Sequence, residues 1–165
     1  MQTKESELAI KNMLWLVGWL AAAFAAEWIG SRYMPGAWYT ALAKPSWNPP
    51  NWIFGPVWTV LYVLMGVAAW RIWRQVGFSG GRITLGLFVF QLVLNALWSY
   101  LFFGLHRMDL AMFDILVLWG AILAVGVLFY DINRCAGALM LPYLAWVSFA
   151  ACLNLALWHL NRGAP

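Results

Sequence analysis

Three sets of residues at helical spacing put aromatic rings and amides where they can meet. Trp58, Tyr62 and Met65 follow i, i+4, i+7, as do Gln91, Asn95 and Trp98, and as do Pro142, Trp146 and Phe149 with Ala150 and Leu153 beside them. Residues so spaced share one face of a helix. Their chemistry is that of binding, since ligand pockets are mostly apolar and aromatic walls with a few placed polar groups. The same faces can also be plain core, with Gln91 and Asn95 as interhelical glue. The coincidence across three segments favours a common pocket, and the two amides must point inward because lipid tails offer them no partner.

Other chemistries are poorly supplied. His106 and His159 lie near segment ends with no second ligand at metal spacing, so they read as interfacial side chains and no metal site is expected. Cys135 and Cys152 form no CxxC pair and read as buried or interfacial thiols. No catalytic triad, carboxylate pair, P-loop or GxGxxG pattern occurs. Asp114 reads as structural, pairing with Arg107 or accepting a hydrogen bond. Glu27 reaches the headgroups or pairs with Arg32.

The elements that must position these faces follow from composition. The chain has 165 residues, 64% hydrophobic and 10% charged, with mean hydropathy +0.74; a soluble domain carries roughly 25% charged residues. The net charge of +4 comes from basic residues scattered between apolar blocks, which anchor loops at headgroups and form no nucleic-acid patch. A membrane-crossing helix needs about 20 mostly apolar residues, and five such runs occur at about 13–33, 53–73, 84–104, 111–130 and 137–160. With no water to satisfy the backbone in a bilayer, such runs are helices. The expected fold is an all-α integral membrane protein, a five-transmembrane-helix bundle forming one domain over 13–161. A polar segment at 1–12, a long first loop at 34–52 and a tail at 162–165 complete it. Asp109 is placed to cap the fourth helix, and Gly80-Gly81 to break the chain before the third. The first run continues past "AFA" through "AEWIGSRYM", so it is read as a span and not as a cleaved signal peptide. Lys4, Lys11, Arg71, Arg74, Arg82 and Arg134 fall on the amino-terminal side, against Arg32, Lys44, Arg107 and Arg162, which favours a cytoplasmic amino terminus.

Two further features bear on assembly and access. Gly18, Ala22, Ala26 and Gly30 recur every four residues, a flat stripe suited either to packing within the bundle or to a homodimer seam. The stretch "KPSWNPPNWIFGPVW", Lys44 to Trp58, is stiffened by Pro45, Pro49, Pro50 and Pro56. Pro56 suits the first turn of the second span. A stiff loop can hold Trp47 and Trp52 as a lid over the bundle or as headgroup anchors, with anchoring the safer reading for Trp52.

The segments "WYTALAKPSWNPPNWIFGPVWTVLY", "QLVLNALWSYLFFGLH", "AMFDILVL" and "PYLAWVSFAACLN" together resemble the translocator protein family, also called tryptophan-rich sensory proteins or peripheral-type benzodiazepine receptors, in its bacterial form. The resemblance runs from Gly30 to Asn161 across all five spans. It implies a bundle, usually dimeric, whose pocket binds porphyrins and isoquinoline carboxamide or benzodiazepine-type ligands beneath the first loop. Ligand contacts carried over by position fall on Tyr39, Pro49, Trp58, Tyr62, Asn95, Trp98, Trp146 and Ala150; Trp47 of the loop and Phe149 of the fifth face join them from the residue reading. Trp58 and Trp146 match tryptophans implicated in light-driven porphyrin breakdown in some bacterial members, the only catalytic role in view. The animal cholesterol pattern is altered, with Leu155 at its tyrosine and His159 at its arginine in "LNLALWHLNR", so sterol binding is not carried over.

The expectation is therefore a multi-pass protein of a bacterial cell membrane that binds a protoporphyrin-like tetrapyrrole as ligand and needs no cofactor. Its partners would be membrane lipid and a second copy of itself. Light-dependent porphyrin degradation and tetrapyrrole transport are the alternatives; five spans without internal repeat give transport little support.

Overall fold

The structure is a computed structural model that describes residues 2–162, with side chains described from Lys4 onward. Met1 and residues 163–165 of the expected terminal segments lie outside the described residues. All regular structure among the described residues is helical: α1 (Gln2–Gly30), α2 (Ala37–Ala41), α3 (Phe54–Ser99), α4 (Met108–Ile132), α5 (Arg134–Leu139) and α6 (Leu141–Leu160).

α3 is two helices that meet at a kink at Gly77, whose torsions are non-helical, φ +63° and ψ −171°. With its flanking turns it makes a 54-residue apolar stretch, about 80 Å at 1.5 Å per residue, far more than one crossing of a roughly 30 Å core requires. Side-chain bonds show how it folds: Tyr62 donates to Asn95, and Gln91 lies 3.8 Å from the Met65 sulfur. Moving three residues forward on one arm moves four residues back on the other, so the arms run antiparallel about Gly77. α3 thus supplies the second and third spans, and the bundle has five.

The chain reverses at Gly77, not at Gly80-Gly81, and the third span begins earlier than hydropathy indicates. The positive φ suits glycine. Gly80 and Gly81 are helical, and a Cβ on either would come within 3.1 Å of Val76, so they let the two arms meet closely. α1 likewise begins at Gln2, so the polar amino-terminal segment is helical. Trp70 donates to the carbonyl of Asn12 at 3.0 Å, which marks where α1 leaves the bundle. The fifth span is preceded by the short α5, and α6 starts at Leu141 with Pro142 in its first turn. Asp109 is not the cap of α4: the cap position is Arg107, and Asp109 sits in the first turn, where its charge still favours the helix dipole. It meets Arg107 through two hydrogen bonds, at 2.8 and 2.6 Å.

Helical periodicity sets the core. Leu61, Met65, Ala68, Ala69 and Ile72 of the second span, Leu85, Phe88 and Leu92 of the third, and Ile115, Leu118, Ile122, Val125 and Phe129 of α4 are buried together. α1 lies against α3 where Gly66 meets Leu20; a Cβ there would stand 3.0 Å from the Leu20 backbone. Ala26 and Gly30 of the small-residue stripe are buried, Gly30 facing Ser99, whereas Gly18 is exposed. The carboxyl half of that stripe therefore serves packing within the bundle.

A second, smaller core of Tyr39, Phe102, Met108, Ala111, Leu153 and Leu157 lies under the first loop. A π-helical turn, Tyr100–Gly104, ends the third span. It widens the helix so that adjacent Phe102 and Phe103 both meet the Tyr39 ring, at 6.4 and 5.6 Å.

Candidate functional site

The faces predicted on the second and third spans meet in the bundle. Trp58 stacks on Tyr62, one turn on, with centroids 5.4 Å apart. The Tyr62 hydroxyl donates to Asn95 Oδ1 at 2.5 Å, and Asn95 Nδ2 donates to the Tyr143 hydroxyl at 3.1 Å. Tyr62, Asn95 and Tyr143 are buried, so each polar tip finds its partner inside the bundle. One turn beyond Asn95, Trp98 donates to Asn154 Oδ1 at 3.2 Å, and Asn154 Nδ2 donates to the Met108 carbonyl at 3.0 Å. Two short chains of hydrogen bonds thus tie the second, third, fourth and fifth spans, one at Tyr143 and the other about three turns further along α6 at Asn154.

The fifth-span face is rotated from the expected one. Pro142 is exposed, and Tyr143, Val147, Leu153, Asn154 and Leu157 point inward. Trp146 and Phe149 lie at the border. Trp146 sits edge-on to Phe54 at 5.9 Å and lines an outward apolar groove with Pro56 and Val60. Phe149 meets Trp146 at 5.6 Å and Trp47 of the loop at 5.8 Å. Trp58 and Trp146 make no ring contact with each other; Tyr143, against Trp58 and one turn before Trp146, and Phe54, against Trp146 and one turn before Trp58, lie between them.

The loop closes this end. Tyr39 on α2 is buried, its hydroxyl donates to Asn48 Oδ1 at 3.0 Å, and Asn48 Nδ2 donates to the Pro49 carbonyl at 3.0 Å. Burial pushes the Tyr39 phenol up from its ordinary value of 10, and the Asn48 bond pulls it partly back. Lys44 caps α2 by donating to the Thr40 and Leu42 carbonyls, and its ammonium lies 4.8 Å over the Tyr39 ring. Ala43 and Asn161 exchange two hydrogen bonds at 3.0 Å, clasping the loop to the end of α6. Trp38 stacks on His106 at 4.2 Å and 12°. Trp47 is half exposed, and Trp52 is 73% exposed, as a headgroup anchor would be.

Beneath the loop, Tyr39, Trp98, Phe149, Ala150 and Asn154 are among the residues around a cavity of about 30 Å³, room for roughly one water molecule. Of the residues expected to bind, Tyr39, Trp98, Phe149 and Ala150 border this space. Trp58, Tyr62 and Asn95 meet one another but do not line it; Trp47 and Trp146 touch its Phe149, and the Pro49 carbonyl accepts from Asn48, the partner of Tyr39. Tyr143 and Asn154 were missed. Asn154 is an amide in an apolar span, the signal that singled out Gln91 and Asn95; Tyr143 stands next to the proline chosen instead.

Other expected pairs do not form. Arg32 lies over Trp28 at 4.1 Å and makes no ion pair with Glu27. Arg107 is held by Asp109, which raises its pKa, and Asp114 is buried elsewhere with Oδ2 lacking a hydrogen-bond partner. Cys135 and Cys152 are exposed. No three His, Cys, Asp or Glu residues gather among the described residues.

The pattern of the TspO/MBR family matches residues 13–159. The chain is 39% identical over 152 residues to the translocator protein of Homo sapiens, covering 89% of this chain and 90% of that one. It is 40% identical over 152 residues to protein CrtK of Rhodobacter capsulatus, covering 91% and 94%. It is 39% identical over 156 residues to the tryptophan-rich protein TspO of Chlorobaculum tepidum, covering 92% and 98%.

Proposed function

The chain belongs to the TspO/MBR family, and from that premise we propose that this integral membrane protein binds porphyrin-type tetrapyrroles at the loop-covered end of its bundle. The observation that carries the reading is the stack of Trp58 on Tyr62, backed by Asn95 and Tyr143, with Trp98 one turn beyond Asn95 and bonded to Asn154. A flat apolar macrocycle stacks on such rings, each contact contributing about 0.5–1.5 kcal/mol beyond burial. Several contacts support micromolar affinity, about −8 kcal/mol. Isoquinoline carboxamides fit the same ring-and-amide chemistry.

A cavity of about 30 Å³ is far below the roughly 300–1,000 Å³ of a drug-sized site. Binding therefore requires the 34–52 loop to lift and its rings to give way to the ligand's. Ligand propionates would compete with the Thr40 and Leu42 carbonyls for Lys44.

The test is a dark titration with protoporphyrin, read by tryptophan quenching, on wild type and Trp146→Ala. Saturable binding that weakens about tenfold in the variant, about 1.4 kcal/mol, supports the site. Quenching that never saturates and is equal in both proteins sinks it. A second reading, light-driven breakdown of the bound macrocycle with dioxygen as oxidant, is favoured by the Trp58–Tyr62 stack, two oxidisable rings in series. Trp58→Phe and Trp146→Phe should then keep binding and lose bleaching. Bleaching at the wild-type rate in both leaves binding alone.

A further inference from the structure

The other end of the bundle holds a polar concavity that tetrapyrrole binding does not use. Arg71 and Arg74, one turn apart near the end of the second span, join Gln75 and Asn133 around an open pocket of about 440 Å³. Its amides are committed. Gln75 Nε2 donates to the Ile132 carbonyl at 2.8 Å, Asn133 Nδ2 donates to Gln75 Oε1 at 3.0 Å, and Asn133 Oδ1 accepts from the Ala136 amide at 3.0 Å. These bonds fix the rim between α3 and the α4–α5 junction.

The guanidiniums are not committed. Arg71 is half-buried, and its Nε is buried with no hydrogen-bond partner. Arg74 lies over the Trp70 ring at 4.8 Å. The salt bridge among the described residues joins Arg107 to Asp109, on other elements, so neither arginine has a carboxylate; exposed Asp131 at the end of α4 pairs with neither. Burying a donor without an acceptor is costly. The acceptor that satisfies a guanidinium fork, and can be shared by two of them, is an oxyanion such as phosphate.

Depth decides the source of that phosphate. Trp70 is bonded to the Asn12 carbonyl where α1 leaves the bundle, and Trp15 meets Trp73 at 4.4 Å beside it. Indoles gathered at the ends of spans mark the headgroup level. We propose that Arg71 and Arg74 hold the phosphate of an anionic phospholipid, its headgroup in the pocket between α3 and the α4–α5 junction. Basic pockets between spans at this depth suit such headgroups.

The test titrates the detergent-purified full chain with short-chain phosphatidylglycerol, phosphatidylcholine and inorganic phosphate, read by native mass spectrometry. Wild type should bind phosphatidylglycerol saturably and in preference to phosphatidylcholine, and added salt should weaken that binding. Arg71→Gln and Arg74→Gln should each weaken it about fivefold, and Arg162→Gln, at the other end, should leave it unchanged. Equal binding of the two lipids by wild type overturns the proposal with no variant needed. Unchanged binding in the double variant overturns it too. Displacement of the lipid by equimolar phosphate would assign the pocket to a soluble anion and overturn the lipid source.

Discussion

The two ends of the bundle treat buried polar groups in opposite ways. Under the loop, Tyr62, Asn95, Tyr143, Trp98 and Asn154 are paired among themselves, and the free space is about 30 Å³. At the arginine end the amides are paired, but Arg71 Nε has no partner and Arg74 rests only on the Trp70 ring, and the space is about 440 Å³. A ligand at the first end must displace contacts the protein already makes, so its apparent affinity is reduced by the small population of open molecules. A ligand at the second competes with water and salt alone. The closed end can be selective and slow, the open end fast and sensitive to salt.

The sharpest way to separate the ends is to break one and spare the other. A Cβ on Gly137 would stand 2.5 Å from Tyr130 Cβ and 2.6 Å from its Cα. Gly137→Ala should push α5 away from α4, cost about 3 kcal/mol, and distort the Asn133–Gln75 rim. Thermal unfolding in detergent measures the loss; porphyrin affinity of the folded fraction should hold. An unchanged melting temperature would mean that α5 does not dock as described.

Asn95→Ala attacks the other end. It strands the Tyr62 and Tyr143 hydroxyls, at a cost of about 2 kcal/mol for the pair, and should weaken porphyrin binding about tenfold while leaving phosphatidylglycerol untouched. If both ligands weaken together, the ends are not independent. Asn161→Ala is milder. It removes the Ala43 clasp, about 1 kcal/mol, and should speed porphyrin association and hydrogen exchange at the Ala43 amide. Exchange at the wild-type rate would show that the clasp does not hold the loop.

The smallest effect is one of pH. Burial raises the Tyr39 phenol above its ordinary value of 10 in the folded loop, so the folded form keeps its proton where the open form loses it. That stability is full below pH 10 and falls as pH rises through the folded-state value. Loop opening should therefore increase above pH 10 in wild type, and Tyr39→Phe should flatten the profile.

The contrast between the ends was half visible in the sequence. Apolar runs and polar breaks locate five spans, because a bilayer leaves the backbone no alternative to helix. The inward amides Gln91 and Asn95 were legible by the same logic, and Asn154 was legible but passed over. The position of the reversal was not legible. Three glycines lie within five residues at Gly77, Gly80 and Gly81, and any of them tolerates a positive φ; only the packing of Val76 against the latter two decides. The register of α6 was missed by one residue, since Pro142 and Tyr143 both fit a helical face and only the facing helices settle which turns inward. Hydropathy also cannot see the polar first turns of α1, which are helical without being apolar.

The reversal at Gly77 has a consequence for how the chain is made. Its two arms form a single helical hairpin with almost no connecting loop, matched Tyr62 to Asn95 and Met65 to Gln91. They should therefore enter the membrane together and not one after the other. A tag inserted at Gly77 would split the hairpin during biogenesis, whereas one near exposed Met34 in the first loop would leave the hairpin intact.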